Sequence, residues 1–316
     1  PNQDKTYFSD HWPNRARNWL ASIDTPSDKV KVRFKVYVPK GYQAISNGLL
    51  KQEQHFTNFS YYNWETNYKI PTKVIALGVA KFKSKIYQKK PIEVSGHTFN
   101  GNFNHYDKST EILEWFKNKI APYPFQKLAN VQSKTRYGGM ENAGCIFYNE
   151  NSVLSNSEQL IAHEIAHQWF GNAVTEKNFK HLWLSEGFAT FLEYQYLKET
   201  KGDIAYKKVM LEAQNTIVNF HHRFPNLVMV PDVINDPNLM LNPYSYQKGA
   251  WLLHTLKNEL GAALFWKIIR LFYQEFKFKN ADSVDFKNFI EQNTKKDFTS
   301  LFELWLYKSE LPSFEL

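Results

Sequence analysis

The feature that most constrains this chain is the run His163-Glu164-Ile165-Ala166-His167. On a helix, residues four apart project from one face, so both imidazoles can reach one ion. Zinc suits the pair because it accepts neutral imidazole nitrogen and carboxylate oxygen in tetrahedral geometry. The carboxylate of Glu164 sits beside them and can take a proton from a water on the metal and hand it to a leaving amine. Taken alone, the run also fits two helix histidines flanking an ordinary surface glutamate. Eighteen residues further on comes Glu186, within Trp183-Leu184-Ser185-Glu186-Gly187-Phe188-Ala189. A glutamate at the start of a second helix packed against the first completes a two-His-one-Glu set and leaves the fourth position open for water, as catalytic zinc requires. A structural zinc site would be closed, usually by cysteines, and the only cysteine, Cys145, lies elsewhere. The alternative for Glu186 is an acid favoured by the dipole at a helix N-terminus.

A second signal is Tyr137-Gly138-Gly139-Met140-Glu141-Asn142-Ala143-Gly144. The two glycines let backbone approach a ligand closely, and Glu141 beside such backbone can bind a free ammonium. Standing alone, the stretch reads better as a glycine turn with a surface acid.

Composition narrows the remaining classes. A length of 316 residues suggests about two domains. With 43% hydrophobic and 16% aromatic residues the chain is a packed globular protein, not a disordered one. One cysteine excludes an internal disulfide framework. No apolar run reaches 18 residues, so no transmembrane helix is expected. No signal peptide is visible at Pro1. The net charge of +8 comes from scattered lysines, densest from Lys81 to Lys90, which read as a solvated strand and loop. Nucleic-acid readers favour arginine forks, and no recognition motif accompanies the charge.

The first hundred residues read as strands, at Lys29 to Val38, Tyr61 to Ile70, Val74 to Phe82 and Ile92 to Ser95. Gly96 to His105, rich in Gly, Asn and His, reads as a linker. Helical spacing appears over Ser109 to Ile120, and a strand over Leu128 to Ser133. Ser155 and Glu158 suggest a capping box for a helix reaching about Phe170. Further helices fit Leu182 to Lys198, Asp203 to Phe220, Tyr246 to Leu260, Ala263 to Phe276 and Ser283 to Asn293.

Three blocks, in order, resemble the M1 family of zinc aminopeptidases, which includes aminopeptidase N and leukotriene hydrolase. They are Gly138-Gly139-Met140-Glu141-Asn142, then His163-Glu164-x-x-His167 with Glu186, then Pro243-Tyr244-Ser245-Tyr246-Gln247-Lys248-Gly249-Ala250. Weaker similarity runs through Trp12 to Arg17, Asp24 to Lys29 and Ala44 to Gly48, so the resemblance spans nearly the whole chain. It implies an α+β fold: a saddle-like, β-rich N-terminal domain remnant over residues 1–98, then a mainly helical, thermolysin-like zinc peptidase domain over 99–316. It also implies one zinc ion per chain on His163, His167 and Glu186, with Glu164 as general base and then general acid. Tyr246 would donate its hydroxyl to the developing oxyanion, its alternative being a core tyrosine on a helix. Glu141 would hold the free α-amine of a peptide substrate, Gly138 and Gly139 would offer backbone, Met140 would line the first side-chain pocket, and Asn142 would brace the loop. A second amine-binding acid would fall near Asp10, which reads as well as a plain surface aspartate.

Some of the family pattern is missing. The first strands of the N-terminal domain are expected to be absent, and 311–316 resemble the start of a further β segment, so a truncated chain is expected. Asp236-Pro237-Asn238 and Leu241 depart from the residues of the leukotriene-type reaction, which favours a plain peptidase. The rival readings are a non-catalytic peptide-binding module and a thermolysin-like endopeptidase. The sequence leaves the compartment, the oligomeric state and the preferred first residue open.

Overall fold

The computed structural model describes residues 5–155 and 157–316. The chain is α+β: a β-rich N-terminal region followed by a helical one. It divides into two compact units, Pro1–Glu114 with Tyr123–Gln168, and Trp115–Pro122 with Trp169–Leu316.

The first unit opens with β1 (Tyr7–Phe8), β2 (Lys29–Val30), β3 (Arg33–Pro39), β4 (Gln43–Ser46), β5 (Leu49–His55), β6 (Phe59–Glu65), β7 (Ile70–Pro71) and β8 (Leu77–Ala80). They form sheets ordered β1-β8-β4, β2-β7 and β3-β6-β5, all antiparallel. Along β3, Phe34, Val36 and Val38 alternate with exposed neighbours, the period-2 signal of a half-buried strand. Val38 joins Ala44, Tyr62, Trp64 and Val79 in one apolar cluster, and Trp64 donates its indole N–H to Ala44 O at 2.8 Å.

A mixed five-stranded sheet follows, built from β9 (Lys83–Gln88), β10 (Glu93–Thr98), β11 (Lys127–Ser133), β12 (Gly139–Met140) and β13 (Cys145–Asn149) in the order β12-β13-β11-β10-β9. The lysine-rich stretch is its edge strand, β9, a placement that blunts edge pairing. The central strands β10, β11 and β13 run parallel. Every residue of β11 is buried, as expected for a parallel strand covered on both faces. The expected linker therefore begins later than Gly96. Gly96 and His97 pair with Asn130 and Val131, and a Cβ on Gly96 would lie 2.8 Å from the ring of Tyr106. The glycine makes room for an aromatic ring rather than marking a flexible joint.

The helices α1 (Ser109–Lys119), α2 (Glu150–Ser155) and α3 (Glu158–Ala166) complete the first half of the chain. The capping expectation shifts by two residues. Ser155 ends α2, and Ser157 is the N-cap of α3, its hydroxyl accepting Leu160 N–H at 3.2 Å. Regular helix stops at Ala166, short of Phe170.

The second unit holds α4 (Trp183–Lys201), α5 (Asp203–Arg223), α6 (Gly249–Leu260), α7 (Ala262–Phe276), α8 (Ser283–Thr294) and α9 (Thr299–Phe302), with a parallel pair of β14 (Thr175–Glu176) and β15 (Asn280–Ala281). α4 is buried continuously from Trp183 to Leu197, which makes it the central helix of this unit. Gly202 and Gly261 end α4 and α6 with φ of 89° and 75°, values a side chain would resist. Asp282 and Asp285 form a reciprocal capping box at the start of α8. Among the described residues no helix is long and apolar enough to cross a membrane.

Helices α4 and α6 touch backbone to backbone. A Cβ on Gly187 would lie 2.9 Å from Gly249 Cα and 3.1 Å from Ser245 O. Helix propensity alone predicts that Gly187→Ala stabilises by about 1 kcal/mol. The contact reverses the sign, because the methyl meets backbone that cannot turn aside. Gly187→Ala is expected to lower unfolding stability by about 2–3 kcal/mol, read by urea titration.

His105 is buried edge-on between Tyr106 and Tyr148, with no hydrogen bond at either ring nitrogen. Burial pulls its pKa down to about 4. Since the unfolded chain binds this proton near pH 6.5, the stabilisation is full above that pH and drains as pH falls toward 4. The loss is expected to reach at most about 3 kcal/mol at pH 4. His105→Phe should flatten this part of a pH series of unfolding midpoints, and an unchanged slope would refute the assignment.

Candidate active site

α3 carries the histidine pair. Its inner face is Ile161, Ala162, Ile165 and Ala166, all buried, which fixes the helix's rotation. His163 and His167 then fall one turn apart, with Nε2 atoms 3.1 Å from each other and rings at 81°. Two neutral imidazoles hydrogen-bond only if one Nε2 carries the proton, whereas sharing a cation needs both lone pairs free. Glu164, between them in sequence, is buried, as is His167.

The glycine stretch begins as β12, antiparallel to β13, with Gly139 opposite Tyr148 and Met140 opposite Phe147. The two glycines differ in what they permit. A Cβ on Gly139 would lie 2.2 Å from Glu164 Oε1, whereas one on Gly138 would make ordinary contact with Ser152 Oγ at 3.5 Å. Gly139 is therefore the position where the missing side chain brings backbone against the Glu164 carboxylate.

Beyond Met140 the chain leaves the ladder while staying buried, so its backbone groups need partners. Asn142 N–H donates to Met140 O at 2.8 Å and Cys145 N–H to Asn142 O at 3.0 Å. Asn47 Nδ2 donates to Ala143 O at 2.8 Å and to Val74 O at 3.0 Å. The buried ammonium of Lys127 donates to Ser46 O at 2.7 Å and Gly144 O at 3.1 Å. Gln168 Oε1 accepts Gly144 N–H at 2.8 Å, and its Nε2 donates to Glu141 O at 3.0 Å and Glu164 O at 3.3 Å. Sequence reasoning passed over Asn47, Lys127 and Gln168. Of these only Gln168 carried a local signal, as a polar residue directly after the histidine run.

Glu141 is buried, and Lys73 Nζ, itself buried over the ring of Trp12, lies 4.0 Å from its Oε1. Lys73 is another residue the sequence reading did not single out. Asp10, expected as a possible second amine-binding acid, accepts from Arg15 Nη2 at 2.7 Å. Cys145 is buried, and burial pushes its thiol pKa up, so it is no thiolate nucleophile.

Glu186 stands buried in the first turn of α4, its N–H donating to Leu182 O at 3.0 Å. His163, His167 and Glu186 each offer one ligand atom, and these atoms all lie within 4.8 Å of one another. Two imidazole nitrogens and a carboxylate oxygen are donors that zinc accepts, with three protein ligands typical of a catalytic rather than a structural site.

Tyr246 lies in a π-helical turn, Tyr244–Lys248, that leads into α6. Such turns are frequent at functional sites. Tyr246 is half-buried, whereas Tyr244 is fully buried with its hydroxyl 3.0 Å from His221 Nδ1. Lys248, also buried, sits 4.6 Å over the Tyr244 ring, and burial pulls its pKa down to about 8.

Comparison with known proteins matches these features to one family. The profile described as "Peptidase family M1 domain" matches residues 104–305, and "Peptidase M1 N-terminal domain" matches 2–74. Similar proteins include probable aminopeptidase 2 of Sulfurisphaera tokodaii, 26% identical over 94% of this chain and 40% of its own length. Leucyl aminopeptidase of Saccharolobus solfataricus gives the same figures, and human glutamyl aminopeptidase is 26% identical over 96% of this chain and 34% of its own. The chain thus spans about 40% or less of these curated relatives. Among solved structures, a variant of the M1 zinc metallopeptidase of Deinococcus radiodurans bound to a Tyr-Ser-Ala substrate superposes with a TM-score of 0.85. It is 20% identical, with 98% of this chain and 71% of that one covered, a likeness of fold. With the family profile matched over well above half its length, the chain belongs to peptidase family M1.

Proposed function

We propose that this chain is a zinc-dependent aminopeptidase that hydrolyses the first peptide bond of peptides with a free N-terminus. The observation that carries the reading is the convergence of His163, His167 and Glu186 ligand atoms within 4.8 Å, beside a buried Glu164. The relatives named as aminopeptidases support the same reaction class. A division into an N-terminal β domain, 1–98, and a catalytic domain, 99–316, belongs to the proposal.

His163, His167 and Glu186 would hold one zinc ion, which when bound supplies a Lewis acid that acidifies water and polarises a carbonyl. Glu164 takes the proton of the attacking water and returns it to the leaving nitrogen. Its carboxylate has little freedom, since Gly139 backbone lies against it. Tyr246 donates its hydroxyl to the oxygen that gains charge as the carbonyl is attacked. Glu141 pairs with the substrate's α-ammonium, which an internal residue of a peptide lacks. Gly138 and Gly139 offer backbone to the substrate, Met140 lines the pocket for the first side chain, and Asn142 braces the loop, where its main-chain N–H and C=O bond Met140 O and Cys145 N–H. Asp10 keeps a weaker claim as a second contact to the amine.

The test is hydrolysis of an amino-acyl chromogenic amide and its N-acetylated analogue, each with and without a chelator. Chelator-sensitive cleavage of the free-amine substrate alone is expected. Cleavage of an internally placed bond in a blocked peptide would point to an endopeptidase. Zinc bound one to one with no cleavage of either substrate would point to a peptide-binding module. Glu164→Gln is expected to lower kcat by about 10³-fold or more while zinc stays bound one to one, measured by metal analysis beside kinetics. Gly139→Ala is expected to lower kcat about 100-fold with little change in melting temperature, because its methyl displaces the Glu164 carboxylate by an ångström or so.

A further inference from the structure

Gln168 follows the histidine run and is fully buried, yet it is neither a ligand nor a group that meets substrate in the scheme above. Its primary amide makes three hydrogen bonds. Oε1 accepts Gly144 N–H, one Nε2 bond goes to Glu141 O, and the other goes to Glu164 O. Both partners of Nε2 are backbone carbonyls of residues whose side chains the reaction needs. The amide thus ties the residue that anchors the substrate's amine to the residue that moves the proton.

We infer that Gln168 is a positioning residue that fixes the distance between the amine anchor Glu141 and the proton carrier Glu164. The inference rests on the aminopeptidase reading and deepens it. No other side chain reproduces the connection. Asparagine is one methylene too short to keep all three bonds. Glutamate keeps the acceptor for Gly144 but turns an anionic oxygen toward two carbonyl oxygens. Methionine fills the space with no donor. The loop does not depend on Gln168 for its existence, because Asn47 holds Ala143 O and Lys127 holds Gly144 O independently. Losing the amide therefore releases the Glu141 end of the loop and leaves its far end pinned.

The consequence is selective. A substrate that uses the amine anchor suffers, whereas one without an amine has no stake in where Glu141 stands. The experiment compares the 316-residue chain with Gln168→Met and Gln168→Glu. Steady-state kinetics use an amino-acyl chromogenic amide, with the analogue lacking the α-amine as a competitive inhibitor. Amide hydrogen exchange is followed over Glu141 to Gly144 and over α3, with zinc content measured throughout. For both variants we expect KM for the free-amine substrate to rise about 10-fold or more, while the analogue's inhibition constant changes less than about 3-fold. Zinc is expected to stay one to one. In Gln168→Met, exchange at Gly144 should quicken at least about 10-fold while α3 stays protected. In Gln168→Glu, Gly144 keeps its acceptor, so its protection should survive while KM still rises.

Equal weakening of KM for the substrate and of inhibition by the analogue, or loss of zinc, would overturn the inference in favour of a general structural role. Unchanged exchange at Gly144 in Gln168→Met would overturn it as well. If the wild-type chain does not cleave the amino-acyl amide, the aminopeptidase reading fails separately, and the exchange comparison still decides whether Gln168 couples the loop to the helix. If Gln168→Met does not fold, Gln168→Glu carries the kinetic comparison, since it preserves one of the three bonds and the side-chain volume.

Discussion

The structure turns on one helical turn. Two imidazole nitrogens 3.1 Å apart are four residues apart in sequence, and a helical turn at the end of α3, held at a fixed rotation, keeps them so. The rotation is set by apolar residues on the opposite side, Ile161 and Ile165, and the start of the helix by Ser157. Everything else at the candidate site is arranged around that turn. Gly139 gives up a side chain so that backbone can lie against Glu164, and Gln168 fastens the same loop to the helix end.

The loop from Glu141 to Gly144 shows what burying irregular backbone demands. A strand or helix satisfies its peptide groups internally, but this segment cannot. Three buried polar side chains from distant points of the sequence, Asn47, Lys127 and Gln168, supply the partners. Each would be costly left alone, and each is engaged with main-chain groups. Lys127 is the clearest case, a buried ammonium that caps two carbonyls and lies 4.9 Å over the ring of Trp64.

Much of this was legible in the sequence, for identifiable reasons. The helices α5 to α8 follow apolar spacing at 3.6 residues, and α4, though buried all round, stops at Gly202, so their spans were readable within a few residues. The histidine pair was readable because i,i+4 spacing is a property of the helix itself, whereas Glu186 was reached only as an acid on a second helix. Elements without a local pattern were missed. β5 is exposed from Leu50 to His55 on both faces and shows no alternation. β13 is buried on both faces and reads as an undifferentiated apolar run. Gly96 and His97 looked like loop residues because their strand identity comes from parallel pairing with β11, more than thirty residues away. The roles of Asn47, Lys127 and Lys73 are likewise set by tertiary neighbours. No window around those residues contains the carbonyls they serve or, for Lys73, the carboxylate it approaches.

The paired glycines of α4 and α6 reach beyond packing. Gly187 follows Glu186 directly, and Gly249 lies three residues after Tyr246. The two helices therefore meet at a bearing with no side chain in it, placed within a turn of a carboxylate on one and a phenol on the other. With no side chain as a spacer, backbone contact alone sets how near the two helices come. Any side chain at either glycine would widen that gap and carry the Glu186 and Tyr246 segments apart with it, so the seam that packs the helices is also the gauge that spaces the two groups.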